Sequence, residues 1–312
     1  MHKSPIHSTV KYLLRDIFPV KETASCSSVL EMFHANRELF AIPVINEKKR
    51  PSGIVIRHEF IEHFSKPYMK ELKGKKPIAT LMDCNPIVVD KGTVIEDVAR
   101  IILDAGIQHM VSGFIITDDK AYMGMANGYD LLNEITKRRQ KYLFDLAHYD
   151  QLTGLPNRTL FTERLNQAIA MFIRTPHNIS LLFVDLDGFK PVNDSYGHGV
   201  GDKLLREVAA RLHTCVREGD TLARMGGDEF VIMLLESDLE LATGVAVRVL
   251  DVLKMPYELG KKTITGVSAS LGIAQYPMHA ENPDALLTAA DNAMYTAKRN
   301  GKDNYAIFSE LV

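Results

Sequence analysis

Two unbroken apolar runs, each meeting acidic residues at one end, constrain this chain more than any other feature. The first is SLLFVDLDG, residues 180–188, which ends on Asp185 and Asp187. The second is RMGGDEFVIMLL, residues 224–235, in which Gly226, Gly227, Asp228 and Glu229 precede the run. Short apolar runs bounded by glycine read as strands buried on both faces. A Gly-Gly pair between two strands suits a two-residue turn, because both positions tolerate positive φ. That turn explains the glycines and leaves Asp228 and Glu229 as either solvated turn acids or functional groups.

Around these runs the pattern predicts helix 160–174, strand 179–186, a loop, helix 199–217, strand 220–225, a turn and strand 229–235. Helix 238–254, strand 262–275, helix 283–300 and strand 303–308 follow. The central order is β-α-β-β-α-β, a helix-backed antiparallel sheet of the α+β type with RMGGDEF at the tip of its central hairpin. In such a sheet the first strand lies beside the hairpin, which carries Asp185 towards Asp228 and Glu229. Three carboxylates converging without basic partners repel one another unless a cation sits among them. Hard oxygen ligands suit Mg²⁺, which completes its shell with water and substrate phosphates.

The loop after the first strand supplies a phosphate partner. Gly188 lets the backbone approach closely, and the successive amides of Gly188, Phe189 and Lys190 suit a triphosphate. In AKRNGKDN, residues 297–304, Lys298 and Lys302 are four apart on the predicted last helix. Lysines so placed are either plain surface or a pair that repels unless an anion lies between them. In NDSYGHGVGD, residues 193–202, Asn193 and Asp202 suit guanine, whose N1–H and N2–H₂ donors adenine lacks. Read alone, they are equally a turn asparagine and a first-turn aspartate.

The first 135 residues carry an internal repeat. SVLEMFHANRELFAIPVINEKKRPSGIVIRHEFI, from Ser28, is echoed by TVIEDVARIILDAGIQHMVSGFIITDDKAYMGMANGYDLL, from Thr93. Each half reads as a capped amphipathic helix, a strand, a turn, a second short strand opening with Gly53 or Gly124, and another helix. Two such units pack as a pseudo-symmetric pair. From Leu131 to Tyr149 the apolar spacing turns heptad-like through Leu132, Ile135, Tyr142, Leu146 and Tyr149, with Arg139 interrupting. That predicts a helical stalk paired with its copy in a homodimer, with KRRQK on a solvated face.

With 312 residues the chain is long enough for two domains, and a formal net charge of −2 gives no excess for binding a polyanion such as DNA. The three cysteines, Cys26, Cys84 and Cys215, have no metal-type spacing and are odd in number, so reduced, buried thiols in the cytoplasm are expected. The N-terminal stretch lacks an apolar core of signal-peptide length, and no run approaches the roughly 20 apolar residues of a membrane span. No membrane partner is expected.

Residues 21–135 resemble a tandem CBS domain, a regulatory module that commonly binds adenine nucleotides between its halves. The resemblance implies a Gly-x-x-Thr/Ser-x-x-Asp site, met in the second half by Gly124, Asn127 and Asp130, with Asn127 in place of the hydroxyl residue. The first half has Gly53, Ile56 and Glu59, so only the second is expected to serve. A dimerisation and packing module without ligand is the alternative.

DQLTGLPNR, VDLDGFKPVNDSYGHGVGD, RMGGDEF and AKRNGK, in this order and spacing, resemble the GGDEF family of diguanylate cyclases across residues 151–312. The expected organisation is an N-terminal segment 1–20, a tandem CBS domain 21–135, a helical linker 136–150 and a nucleotide-cyclase-like domain 151–312. The resemblance implies synthesis of cyclic di-GMP from two GTP. Asp185, the main-chain carbonyl of Leu186, and Asp228 match metal ligands for two Mg²⁺ ions, or Mn²⁺, with Glu229 beside them. Asp228 also stands at the proton-acceptor position, although Glu229 or water could take that proton. Asn193, His198 and Asp202 match substrate-binding positions, and Lys298 and Lys302 match triphosphate contacts. Arg217 and Asp220 match the family's Arg-x-x-Asp product-inhibition site, and they also read as a local ion pair. A non-catalytic cyclic di-GMP receptor, or an adenine-nucleotide sensor with a passive second domain, would have no use for the acids and lysines.

Overall fold

The computed structural model of the protein describes residues 9–106, 109–172, 177–260 and 262–309. The first eight residues of the N-terminal segment, and the end of the helix expected over 160–174, lie outside these. The chain divides into two compact units, His2–Tyr142 and Leu143–Val312.

The N-terminal unit repeats one motif. The first copy contains β1 Val20–Lys21, α1 Cys26–Ala35, β2 Ala41–Ile45, β3 Pro51–Ile56, α2 Arg57–Ser65 and α3 Met69–Lys73. The second contains β4 Val88–Asp90, α4 Ile95–Ala105, α5 His109–Ser112, β5 Phe114–Asp118, β6 Ala121–Ala126 and α6 Gly128–His148. In each, a short parallel strand that the sequence did not announce joins an antiparallel hairpin, giving sheets β1-β2-β3 and β4-β5-β6. Ser25 caps α1 by accepting from the Ser28 amide at 3.1 Å, whereas Val94 gives α4 no side-chain cap.

Gly53 and Gly124 lie inside β3 and β6 rather than opening them. The reason is a crossed pairing. The segment before the first copy bridges to the second through Arg15 and Met125, and the segment before the second bridges to the first through Asp83 and Ile54. A Cβ on Gly53 would fall 2.7 Å from the Asp83 carbonyl, and one on Gly124 would fall 2.8 Å from the Arg15 carbonyl. Each glycine therefore admits the chain leading into the other copy.

Helix α6 runs unbroken through most of the expected linker, so the linker is the continuation of a helix that starts inside the second repeat. Leu131 is buried, while Leu132, Tyr142, Leu143, Phe144 and Leu146 are exposed. Tyr149 lies past the helix end, in a bridge with Pro156, and so leaves the predicted heptad.

The C-terminal unit contains α7 Arg158–Phe172, β7 Ile179–Asp187, α8 Phe189–Tyr196, α9 His198–Thr214, β8 Thr221–Gly226 and β9 Glu229–Leu235. It continues with α10 Leu239–Lys254, β10 Tyr257–Leu259, β11 Lys262–Ile264, β12 Ser268–Tyr276, α11 Pro283–Arg299 and β13 Asn304–Ile307. The sheet order is β13-β12-β7-β9-β8, so the first apolar run does pair with the central hairpin. The expected strand 262–275 is two strands, of which β11 forms a separate hairpin with β10. The expected loop after β7 holds an unforeseen helix, α8.

All nine residues of β7 are buried. Leu182, Val184 and Leu186 join Leu204, Val208, Val245 and Val249 of α9 and α10 in one core. Leu181 and Phe183 join Phe161, Leu165, Leu286 and Ala290 of α7 and α11 in the other. Alternation along β7 thus turns Asp185 and Asp187 to the α11 side. There α11 lies tight on the sheet, because a Cβ at Gly272 would sit 2.0 Å from the Ala290 carbonyl oxygen and 2.1 Å from the Met294 amide. Only glycine at this point of β12 allows that approach. Lys298, one turn beyond Met294, is thereby fixed over the end of β7.

Of the thiols, Cys26 and Cys215 are buried and burial pushes both up, but Cys84, in the connection between the repeats, is exposed rather than buried. Among the described residues, no helix is long and apolar enough to cross a membrane.

Candidate active site

The hairpin tip is one residue further along than the Gly-Gly reading placed it. Gly226 pairs with Glu229, leaving Gly227 and Asp228 as the turn, and the register shifts between Arg224 and Gly226. Gly226 has φ 149° and Gly227 has φ 52°, conformations that suit glycine. A Cβ on either would meet no atom within 4 Å, so the space above the tip is clear.

Arg224 straps this tip in place. Its Nε and Nη2 donate to the Gly227 carbonyl at 3.0 and 2.6 Å, and its Nη1 donates to both oxygens of Asp150 at 2.9 and 3.0 Å. Asp150 also accepts from the Thr153 amide and hydroxyl at 2.8 and 2.6 Å. Burial pushes the Asp150 carboxyl up, but the Thr153 and Arg224 hydrogen bonds together outweigh it and hold the group below its usual range. The sequence contains the signal, the D of DQLTGLPNR and the R of RMGGDEF, but one-dimensional spacing gives no hint that they meet.

The acids gather as expected. Asp185 faces Glu229 across the β7–β9 ladder, and the Leu186 amide donates to the Asp228 carbonyl at 3.3 Å. The Leu186 carbonyl points from β7 in the same direction as its amide, towards the tip. The expectation that these acids lack a basic partner is wrong: Lys298 Nζ sits 2.8 Å from Asp185 Oδ2. Burial nevertheless pushes the Asp185 carboxyl above its ordinary value, against the pull of Lys298. Burial, then the charges of Asp185, Asp291 and Asp228, push Glu229 up as well. Asp291, seven residues before Lys298 on α11, is a fourth acid that sequence reading missed. Among the described residues, no three His, Cys, Asp or Glu side chains are arranged to hold a metal ion by themselves. The donor set of Asp185, Asp228, Glu229 and a main-chain carbonyl still fits Mg²⁺, provided that phosphate oxygens and water complete the shell.

Asp187 is not one of the gathered acids. Its carboxylate accepts from the Ser270 hydroxyl at 3.0 Å, the Ser268 hydroxyl at 3.3 Å and the Asp303 amide at 3.2 Å. It ties down the turn after α11, where Lys302 and Asp303 take φ 62° and 50°. Lys302 therefore lies on that turn, past the end of α11, rather than one helical turn from Lys298. Its side chain is exposed.

Gly188, at φ 83°, precedes α8, so the amides of Phe189 and Lys190 belong to a helix N-terminus. Asn193 lies within α8 rather than in a turn, with its Oδ1 buried and unpartnered. A Cβ on Gly201 would fall 1.9 Å from that oxygen, so α9 closes directly onto Asn193 and brings Asp202, the next residue, alongside. His198 begins α9 and, like Asp202, is exposed.

Arg217 and Asp220 lie elsewhere. With Leu235, Leu241, Gly244, Val245 and Arg248 they line a cavity of about 250 Å³. Asp220 accepts from the Arg217 amide at 2.9 Å and the Leu235 amide at 3.4 Å, so the predicted side-chain ion pair is replaced by backbone contacts. Arg248, unassigned from the sequence, adds a second guanidinium. In the N-terminal unit, Asp130 is engaged by Arg15 at 2.6 Å, and Asn127 Oδ1 accepts from the Asp130 amide at 3.0 Å. Gly124 faces Arg15. The first half, which the sequence does not favour as a nucleotide site, has a cavity of about 170 Å³ lined by Ile56, Glu59, His63 and Asp83 among others.

A family model described as diguanylate cyclase, GGDEF domain, matches residues 147–304, and a CBS domain model matches 10–66 and 78–137. MucR of Pseudomonas aeruginosa, a bifunctional diguanylate cyclase/cyclic di-GMP phosphodiesterase, is 44% identical over 171 residues, 55% of this chain and 25% of MucR. The diguanylate cyclase TpbB of the same species is 41% identical over 158 residues, 50% of this chain and 36% of TpbB. A solved TpbB structure comprising only the GGDEF domain superposes with a TM-score of 0.50 at 38% identity, covering 52% of this chain and 95% of that one. The chain spans between 25% and 36% of the length of these curated relatives.

The raised Glu229 carboxyl has a consequence for stability. The folded protein holds that proton to higher pH than the unfolded chain, so stability falls as pH rises from the ordinary carboxylate range through the raised value. Glu229→Gln is expected to raise the melting temperature at pH 7 by roughly 1–3 °C. The gain should fade as the pH falls below about 4. Melting curves across pH check this, and a gain that grows on acidification contradicts it.

Proposed function

The chain belongs to the GGDEF family of diguanylate cyclases and carries a tandem CBS pair ahead of that domain, and from that premise we propose that it condenses two GTP into cyclic di-GMP and two pyrophosphates. The observation that carries this reading is the pairing of Asp185 with Glu229, with Asp228 in the adjoining turn under glycines that leave open space. A receptor or a passive domain has no need of that arrangement.

In the proposed reaction the 3′-hydroxyl of one GTP attacks the α-phosphorus of the other, in line with the departing pyrophosphate. Bound Mg²⁺, two ions per half-site, or Mn²⁺ in their place, acidifies the hydroxyl and neutralises the leaving oxygen. Asp185, the Leu186 carbonyl, Asp228 and Glu229 would hold those ions. Asp228 or Glu229 accepts the hydroxyl proton. The amides from Gly188 to Lys190, with Lys298 and Lys302, meet the triphosphate, and His198 lies at the mouth of the base site. Asn193 and Asp202 carry acceptors that suit the donors on the guanine edge, the Asn193 oxygen turning out from its buried place against Gly201 to meet them.

Each domain offers one nucleotide site, so two copies must face each other. The exposed Leu132, Tyr142, Leu143 and Leu146 on α6 support a homodimer through the stalk. Cyclic di-GMP would bind with the guanidinium forks of Arg217 and Arg248 on guanine O6 and N7 and the Asp220 carboxylate on N1–H and N2–H₂, and bound product would hold the domains unproductively. A CBS ligand such as an adenine nucleotide would tune the dimer, and at Asp130 it must displace Arg15. GTP as substrate and three free thiols fit the cytoplasm.

Purified dimer stripped of bound product and given GTP and Mg²⁺ should form cyclic di-GMP, with Asp228→Ala slower by about a hundredfold or more. No product from the wild type would sink the reading. In the same assay Arg217→Ala should abolish inhibition by added cyclic di-GMP, and unaltered inhibition would reject that site. A rate unmoved by AMP or ATP would leave the CBS pair as a packing module.

A further inference from the structure

Lys298 has two partners competing for one ammonium. On the cyclase reading it meets a triphosphate, yet it is bonded to Asp185, the most buried acid of the cluster. The Asp185 side chain is 12% exposed and the Lys298 side chain 30% exposed. A buried carboxylate without a counter-charge is costly, and Lys298 supplies that charge at 2.8 Å. Its geometry is rigidly prepared at the backbone level. Asp185 pairs with Ser270 on β12, and Gly272, two residues on, admits α11 so closely that Lys298 stands over the end of β7. The four-carbon stem above that anchor is free to swing.

We propose that Lys298 is an internal cation switch: its ammonium occupies the place beside Asp185 that a metal ion needs, and an arriving triphosphate draws it away. The proposal rests on the cyclase reading and adds an order of events to it. Metal alone must evict Lys298 and break its ion pair with Asp185. Triphosphate alone must approach the carboxylates of Asp185, Asp228, Glu229 and Asp291 with no metal charge to offset them. Together they exchange partners, Lys298 passing to the phosphates as the metal takes the carboxylate. Each ligand therefore strengthens the other by the same factor, as linkage requires.

The test needs no nucleotide. Mn²⁺ is titrated into full-length protein, with bound ion read by electron paramagnetic resonance, for the wild type, Lys298→Met, Lys298→Gln and Lys298→Arg, each checked for folding by circular dichroism. Lys298→Met and Lys298→Gln should bind Mn²⁺ roughly tenfold to a hundredfold tighter than wild type. Lys298→Arg should stay near wild type, and adding Asp185→Asn to Lys298→Met should remove the gain. Unchanged Mn²⁺ affinity in both neutral variants overturns the switch, as does a gain that survives loss of the Asp185 charge. Failure of the cyclase reading would show separately, as absence of GTP-analogue binding to wild type with metal present.

Discussion

The register of β7 against β9 is the constraint on which the rest of the C-terminal unit depends. Asp185 opposite Glu229 sets which side chains face α11 and which face α9 and α10. A slip of one residue would turn Asp185 into the core formed by Leu182, Val184 and Val208, and would expose Leu186 to the site. Such a slip is opposed by nine consecutive buried positions on β7, whose apolar members fill two different cores. Burial on both faces thus holds the acids at one end of the strand, and the stability of the sheet becomes the precision of the site.

Two further contacts convert that register into a usable site. Arg224 grips the Gly227 carbonyl and Asp150 together, so a hairpin tip with two positive-φ glycines is held from behind while its front stays open. Gly272 lets α11 settle on β12, and Asp187 clasps the turn beyond α11 through the Asp303 amide. Lys298 is thereby held against Asp185, and Lys302 on the turn beyond α11, by backbone that the sheet itself anchors. The packing of α8 on α9 is set in the same way, with Gly201 admitting Asn193 where any larger residue would collide.

Much of this was legible in the sequence because periodicity and motif order report local structure and strand pairing. The six central elements, the hairpin, the repeat and the meeting of Asp185 with Glu229 all follow from pattern. What escaped was set by tertiary contact. The short strands β1 and β4 are too brief to show a period, and α8 was hidden by Pro191, its polar residues and the glycines that flank it. The Lys298–Asp185 pair joins residues 113 positions apart by number, and the Arg15–Asp130 pair closes a half-site by a residue that precedes the repeats. Spacing within a motif reveals which groups share a face, but not which counter-charge will cross from another element.

The most direct test of the central claim, that the β7 end and the hairpin tip form one metal and nucleotide site, is a crystal structure with a non-hydrolysable GTP analogue and Mg²⁺. The account predicts metal density touching Asp185 and Asp228, guanine beside Asn193 and Asp202, and Lys298 moved from Asp185 to the phosphates. An analogue bound elsewhere, or bound with no metal at Asp185, would contradict it.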